Sequence, residues 1–153
     1  MQNRTSEVHL RAPVEDDFDQ WSALWRDYLA FYNTYKPTDL HRTAFGRLLS
    51  SNPTEFNGLV AERNGRLVGL VHFLYHRHLW RVDNTCYLQD LYVEPTERGT
   101  GLGRRLIEAV YAAADAAGSP SVYWLTQDFN ANARKLYDRV GVLTPFIRYN
   151  RPA

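Results

Sequence analysis

Cysteine is almost absent from this sequence, in which Cys86 is the single example. One thiol forms no intrachain disulfide and no all-cysteine metal site, which is typical of a reducing cytoplasm. Long apolar runs are also missing, since no stretch approaches the roughly 20 residues that span a bilayer, and the first residues do not resemble a signal peptide. We therefore expect a cytoplasmic protein that has no membrane partner.

An excess of charge is lacking too, because 18 basic residues face 17 acidic ones and the net charge is +1. Proteins that bind an extended phosphate backbone usually carry a strong basic excess, so we expect no nucleic-acid partner. The 153 residues, of which 44% are hydrophobic, are enough for one core and few for two. The length predicts a single domain over residues 1–153.

Hydrophobic periodicity predicts short strands that alternate with amphipathic helices. An aromatic stripe at three- and four-residue spacing predicts the first helix, and its members are Phe18, Trp21, Trp25, Tyr28, Leu29 and Tyr32. Residues 64–65 are Asn-Gly and join two apolar runs as a hairpin turn does. Later apolar runs predict strands at 87–93, 122–126 and 146–149, and the intervening helices end at Gly118 and Gly141. This order favours a mixed sheet with helices on both faces.

A glycine-rich turn separates the strand at 87–93 from the following helix. Gly99, Gly101 and Gly103 lack a Cβ, so the backbone can bend tightly and approach a ligand, while the helix directs free N–H groups forward. Such a turn suits phosphate, with Arg98 and Arg104 beside it. The glycine spacing fits neither a dinucleotide fingerprint nor a triphosphate loop. A tight strand-to-helix connection is the alternative interpretation.

Two motifs in the second half of the chain resemble those of the GCN5-related N-acetyltransferase (GNAT) superfamily. Arg98, Gly101 and Gly103 match its acetyl-CoA motif, Arg/Gln-x-x-Gly-x-Gly/Ala, directly after the strand Leu-Gln-Asp-Leu-Tyr-Val. The second signature is Asn-x-x-Ala-x-x-Leu-Tyr-x-x-x-Gly, and every spacing is kept by Asn130, Ala133, Leu136, Tyr137 and Gly141. The resemblance covers residues 7–149 and is nearest to small fungal histone, polyamine and D-amino-acid acetyltransferases and their bacterial relatives.

The resemblance implies a central mixed, mostly antiparallel, twisted sheet with helices on both faces and a splayed strand pair that forms the CoA cleft. It also implies acetyl transfer from acetyl-CoA to a primary amine by direct attack, and a homodimer. We expect a small-molecule acceptor; a histone-tail lysine and a non-catalytic acyl-CoA-binding role are the alternatives. The residues implied to hold acetyl-CoA are Leu91, Tyr92, Val93, Arg98, Gly99, Thr100, Gly101, Leu102, Gly103, Arg104, Asn130, Ala133 and Tyr137.

Two side chains are candidates for the proton transfers of such a reaction. Tyr137 matches the general acid of the family, although a purely structural core tyrosine is the alternative. A primary ammonium has a reference pKa of about 10.4, so its proton must be removed before attack. Asp90 is the candidate base; a carboxylate that fixes a neighbouring element, or a water relay to a tyrosine or carboxylate, are the alternatives.

The acceptor is expected to lie beside the first helix, as in the family, with Phe31, Tyr32 and Gln89 as its contacts. Gln89 and Asp90 point to opposite faces of their strand, so only one of them can face the cleft. Gln89 stands where spermidine/spermine acetyltransferases have a glutamate, which argues against a polyamine. His72, His76 and His78 would share a strand face, but no carboxylate pattern accompanies them, and we expect no metal. Asn130 either caps its helix or contacts the pantetheine arm.

Overall fold

The computed structural model describes residues 7–153, in which strands and helices alternate as the hydrophobic pattern predicts. These residues form five strands: β1 (His9–Arg11), β2 (Asn57–Arg63), β3 (Arg66–His76), β4 (Thr85–Val93) and β5 (Val122–Tyr123). They also form four α-helices: α1 (Phe18–Phe31), α2 (Thr38–Leu48), α3 (Leu102–Ala116) and α4 (Ala131–Val140). No helix in this part of the chain has the length and apolar character needed to cross a bilayer.

The strands form one sheet in the order β1-β2-β3-β4-β5. Neighbouring strands are antiparallel from β1 to β4, and only β4 and β5 run parallel. Asn64 and Gly65 have φ angles of 52° and 79°, as a two-residue turn between β2 and β3 requires. The hairpin and the mixed, mostly antiparallel sheet are both confirmed.

Two hydrophobic layers cover the two faces of the sheet. Adjacent residues of a strand point to opposite faces, and Leu70 and Val71 of β3 accordingly belong to different core clusters. The Leu70 cluster includes Trp21 of α1 and Phe45 of α2. The Val71 cluster contains the apolar side of α3, including Leu106, Ile107 and Val110. Helices therefore lie on both faces, as predicted, and the chain has an α1/α2 face and an α3/α4 face.

Two of the predicted strands differ from the structure. β5 has only two residues instead of the predicted run 122–126, and Tyr123 is exposed rather than buried. Residues 146–149 form no strand at all, and Phe146 and Ile147 are 80% and 78% exposed. Apolar content tells us that a segment suits a sheet, but a strand forms only where another strand offers hydrogen-bonding partners. Neither segment has such a partner along its full length within the described chain.

Candidate active site

The glycine turn leads from β4 into α3 and opens to solvent. Gly99 and Gly101 have φ angles of 79° and 84°, a region that L side chains rarely adopt, and a Cβ added at either would meet no atom within 4 Å. Gly101 directly precedes α3, so the free amides of the first helical turn point into this open space. The turn thus fits a pyrophosphate, because an anion can approach the amides without meeting a side chain.

Other residues of the turn have distinct contacts. A Cβ on Gly103 would lie 3.2 Å from Leu136 Cδ2, so this glycine lets α4 approach α3 rather than lining the open space. Leu102 is buried in the core of the α3/α4 face. The side chains of Arg98, Thr100 and Arg104 are exposed. Arg98 donates a hydrogen bond to the Val93 carbonyl at 3.2 Å, and Thr100 donates one to the Glu97 carbonyl at 2.6 Å. Arg104 forms an ion pair with Glu108 at 2.7 Å.

β4 and β5 separate after only two paired residues. The parallel pairing joins Cys86 to Val122 and Tyr87 to Tyr123, and none of the described strands continues it along residues 88–93. That edge of β4 therefore carries open main-chain groups, while the side chains of Leu91 and Val93 pack on the α3/α4 face. An extended chain with amide groups can bind such an edge as an added strand does. The gap fits the pantetheine arm of CoA and runs toward the glycine turn.

A β-bulge interrupts β4 at Gln89. The register with β3 passes from His72 opposite Asp90 to Phe73 opposite Leu88, so Gln89 has no partner. The extra residue changes which face the following side chains occupy. Leu88 packs on the α3/α4 face, whereas Asp90, two residues later, contacts α1 on the other face. The prediction that Gln89 and Asp90 face different ways agrees with this geometry, with the exposed Gln89 in the cleft.

A hydrogen-bonded chain connects Asp90 to the α1/α2 face. Asp90 Oδ2 lies 2.8 Å from His72 Nδ1 and accepts a bond from Trp25 Nε1 at 3.3 Å. Trp21 Nε1 donates to His72 Nε2 at 2.9 Å. Trp21, His72 and Asp90 are all buried, with exposed fractions of 1%, 6% and 7%. Among the described residues no lysine or arginine pairs with Asp90, so its side-chain partners are the imidazole of His72 and the indole of Trp25.

Three tyrosines line the cleft between β4 and β5. The cleft residues are Tyr28, Tyr32, Leu88, Gln89, Leu91, Ile107, Trp124, Leu125 and Tyr137. Burial raises the pKa of Tyr137 to about 12, with a smaller contribution from Tyr32. Burial and then the charge of Asp90 raise the pKa of both Tyr28 and Tyr32. All three phenols therefore hold their protons at neutral pH.

α4 orients Tyr137 toward this cleft. Asn130 Oδ1 accepts a bond from Ala133 N at 3.4 Å at the start of the helix, so the capping interpretation of Asn130 agrees with the geometry. Tyr137 lies edge-on to Trp124, with ring centroids 5.5 Å apart. Trp124 in turn lies against Gly141, where an added Cβ would come within 2.8 Å of its ring. The second sequence signature thus shapes the wall that carries Tyr137.

Some residues singled out in the sequence lie away from the cleft lining. Phe31 is 56% exposed and packs edge-on against Tyr32. Tyr92 is buried on the α1/α2 face. His76 contacts Tyr123 Oη at the exposed end of β3 and shares no hydrogen bond with His72. The described residues contain no cluster of three metal-ligating side chains. Sequence reasoning missed Tyr28 as a cleft residue and His72 as a partner of Asp90.

Comparisons with known proteins agree with this geometry. Residues 18–142 match the Acetyltransferase (GNAT) family. The chain is 36% identical over 145 residues to the D-amino-acid N-acetyltransferase HPA3 of Saccharomyces cerevisiae. The aligned region covers 94% of this chain and 90% of that protein. It is also 36% identical to a bovine thialysine N-epsilon-acetyltransferase over 73 residues, 48% of this chain and 41% of the relative.

A solved structure has the same fold. The aminoglycoside N-acetyltransferase AAC(6')-Iy, in complex with CoA, superposes with a TM-score of 0.85. The match covers 99% of each chain at 18% sequence identity. At that identity the likeness concerns the fold alone.

Proposed function

Because the chain belongs to the GNAT family of acetyltransferases, with acetyl-CoA as its acyl donor, we propose that it acetylates the primary amine of a small molecule. The observation that carries this proposal is the meeting of two features at one gap in the sheet. The open edge of β4 and the glycine turn suit an extended CoA molecule, and the tyrosine-lined cleft lies at the opposite end of the same gap. An acyl donor and an acceptor amine can therefore meet beside Tyr137.

The donor half of the site consists mainly of backbone. The amides around Gly99, Gly101 and Arg104 bind the pyrophosphate, and the open edge at Leu91 and Val93 binds the pantetheine arm. Bound acetyl-CoA supplies the thioester whose acetyl group is transferred. A main-chain N–H near Leu91 or Tyr92 donates to the acyl oxygen as negative charge develops there.

Tyr137 is the general acid in this proposal. Tyr137 lines the cleft, and its raised pKa keeps the proton available for the departing thiolate. Asp90 lies behind the side chains that line the cleft, because it is buried and already accepts hydrogen bonds from His72 and Trp25. That Asp90 is the direct base stays a prediction. Its burial argues against that role, because the amine would have to reach Asp90 past the α1 side chains.

The acceptor class follows from the relatives and from the cleft. One relative is named for D-amino acids and another for thialysine, both small molecules that carry a primary amine. Aromatic side chains close the cleft from three elements, with Tyr28 and Tyr32 at the end of α1, Trp124 after β5, and Tyr137 on α4. Aromatic faces of this kind bind an alkylammonium by cation–π attraction. Gln89 adds a polar amide to the same wall.

An acceptor panel tests this function. The panel holds D-alanine, D-lysine, thialysine, spermidine, an aminoglycoside and a lysine-containing peptide, each incubated with acetyl-CoA while released thiol is measured. We expect the free amino acids to be acetylated with the highest kcat/KM. Acetylation of the peptide alone would indicate that the acceptor is a protein and not a small molecule. CoA binding without any turnover would indicate a non-catalytic domain.

We further propose that the protein is a homodimer in the cytoplasm, and that residues 141–153 contribute to the dimer interface. Large apolar side chains of this segment are exposed, namely Val142, Leu143, Phe146, Ile147 and Tyr149. Contiguous exposed apolar surface usually marks an interface. β5 is short and its outer edge is open within the described sheet. An unpaired edge and an apolar extended segment in one chain complement each other across two copies.

The double variant Phe146→Asp with Ile147→Asp is expected to be monomeric. Burial of two carboxylates in an apolar interface is unfavourable, so the dimer should dissociate. Light scattering should then give the 17.8 kDa mass of one chain instead of twice that mass. Leu40→Asp is the matched control, because Leu40 is an exposed apolar residue on α2 outside the segment. A wild-type protein that is monomeric at high concentration would contradict the dimer.

A further inference from the structure

An acidic residue, Glu97, lies two residues before Gly99, where the chain enters the glycine turn. Its carbonyl accepts a hydrogen bond from Thr100 Oγ1 at 2.6 Å, so the backbone of Glu97 is part of the turn. A carboxylate beside an anion-binding turn repels the pyrophosphate of CoA, because like charges destabilise each other. A glutamate at this position therefore conflicts with the role of the turn unless another group compensates its charge.

Arg63, the last residue of β2, is the group that compensates Glu97. Its Nε and Nη2 donate to the two carboxylate oxygens of Glu97, each at 2.9 Å. A planar guanidinium forms this two-bond arrangement with a carboxylate, and a lysine ammonium cannot reproduce it. The side chain of Glu97 is only 13% exposed in the pair, so little water is left to screen its charge. The pair also directs the carboxylate toward the end of β2.

The next acidic residues along the chain on either side of the turn are compensated in the same way. These are Glu94 and Glu108, and each forms an ion pair with an arginine. Two further arginines, Arg98 and Arg105, donate to backbone carbonyls and pair with no acidic side chain among the described residues. These ion pairs leave the surroundings of the turn with an excess of positive charge, which attracts an anion.

We infer that Arg63 is a positioning residue for acetyl-CoA, because it holds and neutralises the Glu97 carboxylate and so keeps the glycine turn able to bind the pyrophosphate. Arg63 acts through Glu97 and not through a contact of its own with CoA. The inference rests on the proposed function, since it assumes that the pyrophosphate binds at this turn. An uncompensated Glu97 weakens CoA binding, whereas an uncompensated Arg63 does not, since a free cation attracts the ligand.

Three variants separate this electrostatic role from the simple loss of an ion pair. Arg63→Met leaves Glu97 charged, and we expect the Kd for CoA to rise about tenfold at low salt, which corresponds to about 1.4 kcal/mol. Glu97→Gln breaks the same ion pair but removes the negative charge, so its Kd should stay within about twofold of the wild-type value. The double variant that combines both changes should also bind within about twofold, because it contains neither charge.

Calorimetric titration with CoA measures these Kd values without any need for turnover. An unchanged Kd in Arg63→Met would overturn the inference. A Kd that rises in Glu97→Gln as much as in Arg63→Met would overturn it too, because the pair would then only support the backbone.

Salt and a truncated ligand provide two readouts that a structural role alone does not move. The ratio of the Kd of Arg63→Met to that of the wild type should fall at about 1 M salt, where the Debye length is about 3 Å and the free carboxylate is screened. Pantetheine lacks the pyrophosphate, so its Kd, from a nuclear magnetic resonance titration, should be the same in both proteins. A ratio that does not depend on salt, or an equal loss of pantetheine binding, would contradict the inference.

Arg11→Met is the matched control for the loss of a guanidinium that binds a carboxylate through two bonds. Arg11 donates to the two oxygens of Asp17 at 2.7 and 2.9 Å, and a third bond joins it to Glu62. Its side chain is 33% exposed, against 30% for Arg63. This variant should be less stable in thermal unfolding and should bind CoA normally. A rise in its Kd equal to that of Arg63→Met would mean that lost stability causes the effect, and would overturn the inference.

Failure of the proposed function has a different signature. If the variants bind CoA as expected but the wild-type protein acetylates no amine, the proposed function fails and the role of Arg63 stands. If the wild-type protein acetylates amines and Arg63→Met binds CoA as tightly as it does, only the role of Arg63 is refuted.

Discussion

Replacing Tyr137 with phenylalanine is expected to lower kcat by about 10²- to 10⁴-fold while the affinity for acetyl-CoA stays nearly unchanged. The ring and its packing on Trp124 remain, and only the hydroxyl is lost. Burial raises the pKa of Tyr137 to about 12, so an alkaline loss of kcat from its deprotonation is expected only near that pH. Steady-state kinetics over a range of pH, together with a CoA titration, separate the lost step from lost binding.

Tyr111→Phe is the control for this experiment. The Tyr111 hydroxyl donates to the Val140 carbonyl at 2.6 Å, so it supports the end of α4 without belonging to the cleft lining. Its removal should reduce stability and leave kcat close to the wild-type value. An equal fall of kcat in both variants would indicate that the position of α4 matters, not the Tyr137 proton. An unchanged kcat in Tyr137→Phe would contradict the general-acid role.

Gly101→Val is expected to raise the Kd for acetyl-CoA by roughly a hundredfold or more. Gly101 has a φ of 84°, which a β-branched residue adopts only with strain, and its side chain would enter the space reserved for the pyrophosphate. Loss of two charge-assisted hydrogen bonds, at about 1.5 kcal/mol each, corresponds to this factor. Calorimetric titration with CoA measures it without any need for turnover.

Gly65→Val separates backbone strain from the loss of the phosphate cradle. Gly65 has a φ of 79°, no atom lies within 4 Å of its added Cβ, and it occupies the hairpin between β2 and β3. The control should therefore lose a similar amount of stability in thermal unfolding while it binds CoA normally. If both variants bind CoA equally well, the glycine turn is a structural connection and does not hold the pyrophosphate.

Local sequence patterns were sufficient for most of the fold. The aromatic spacing of Trp21, Trp25 and Tyr28 predicts α1 because one helix face must be apolar, and Asn64 with Gly65 predicts the hairpin because both tolerate a positive φ. The glycines at 99 and 101 predict an anion-binding turn for the same local reason. Each of these signals depends on residues that are close together in the chain, so the sequence alone can reveal them.

Features that depend on distant partners could not be predicted in this way. Asp90 meets His72 only through the pairing of β3 with β4, and the bulge at Gln89 has no signature in the strand sequence. The pairing of β5 with β4 also ends at Tyr123, so β5 is shorter than its apolar run suggests. The close approach of Leu136 to Gly103 likewise depends on how α4 packs, although the glycine itself was visible.

The unpaired Gln89 makes the register of β4, and not only side-chain chemistry, a determinant of this site. If Gln89 paired with β3 as an ordinary strand residue, Asp90 and Tyr92 would exchange faces with Leu91 and Val93. A carboxylate would then enter the layer beneath α3, and leucine and valine would replace the hydrogen-bonded groups beside Trp21. The unpaired position of Gln89, rather than the chemistry of its side chain, therefore decides which of these four side chains face α1.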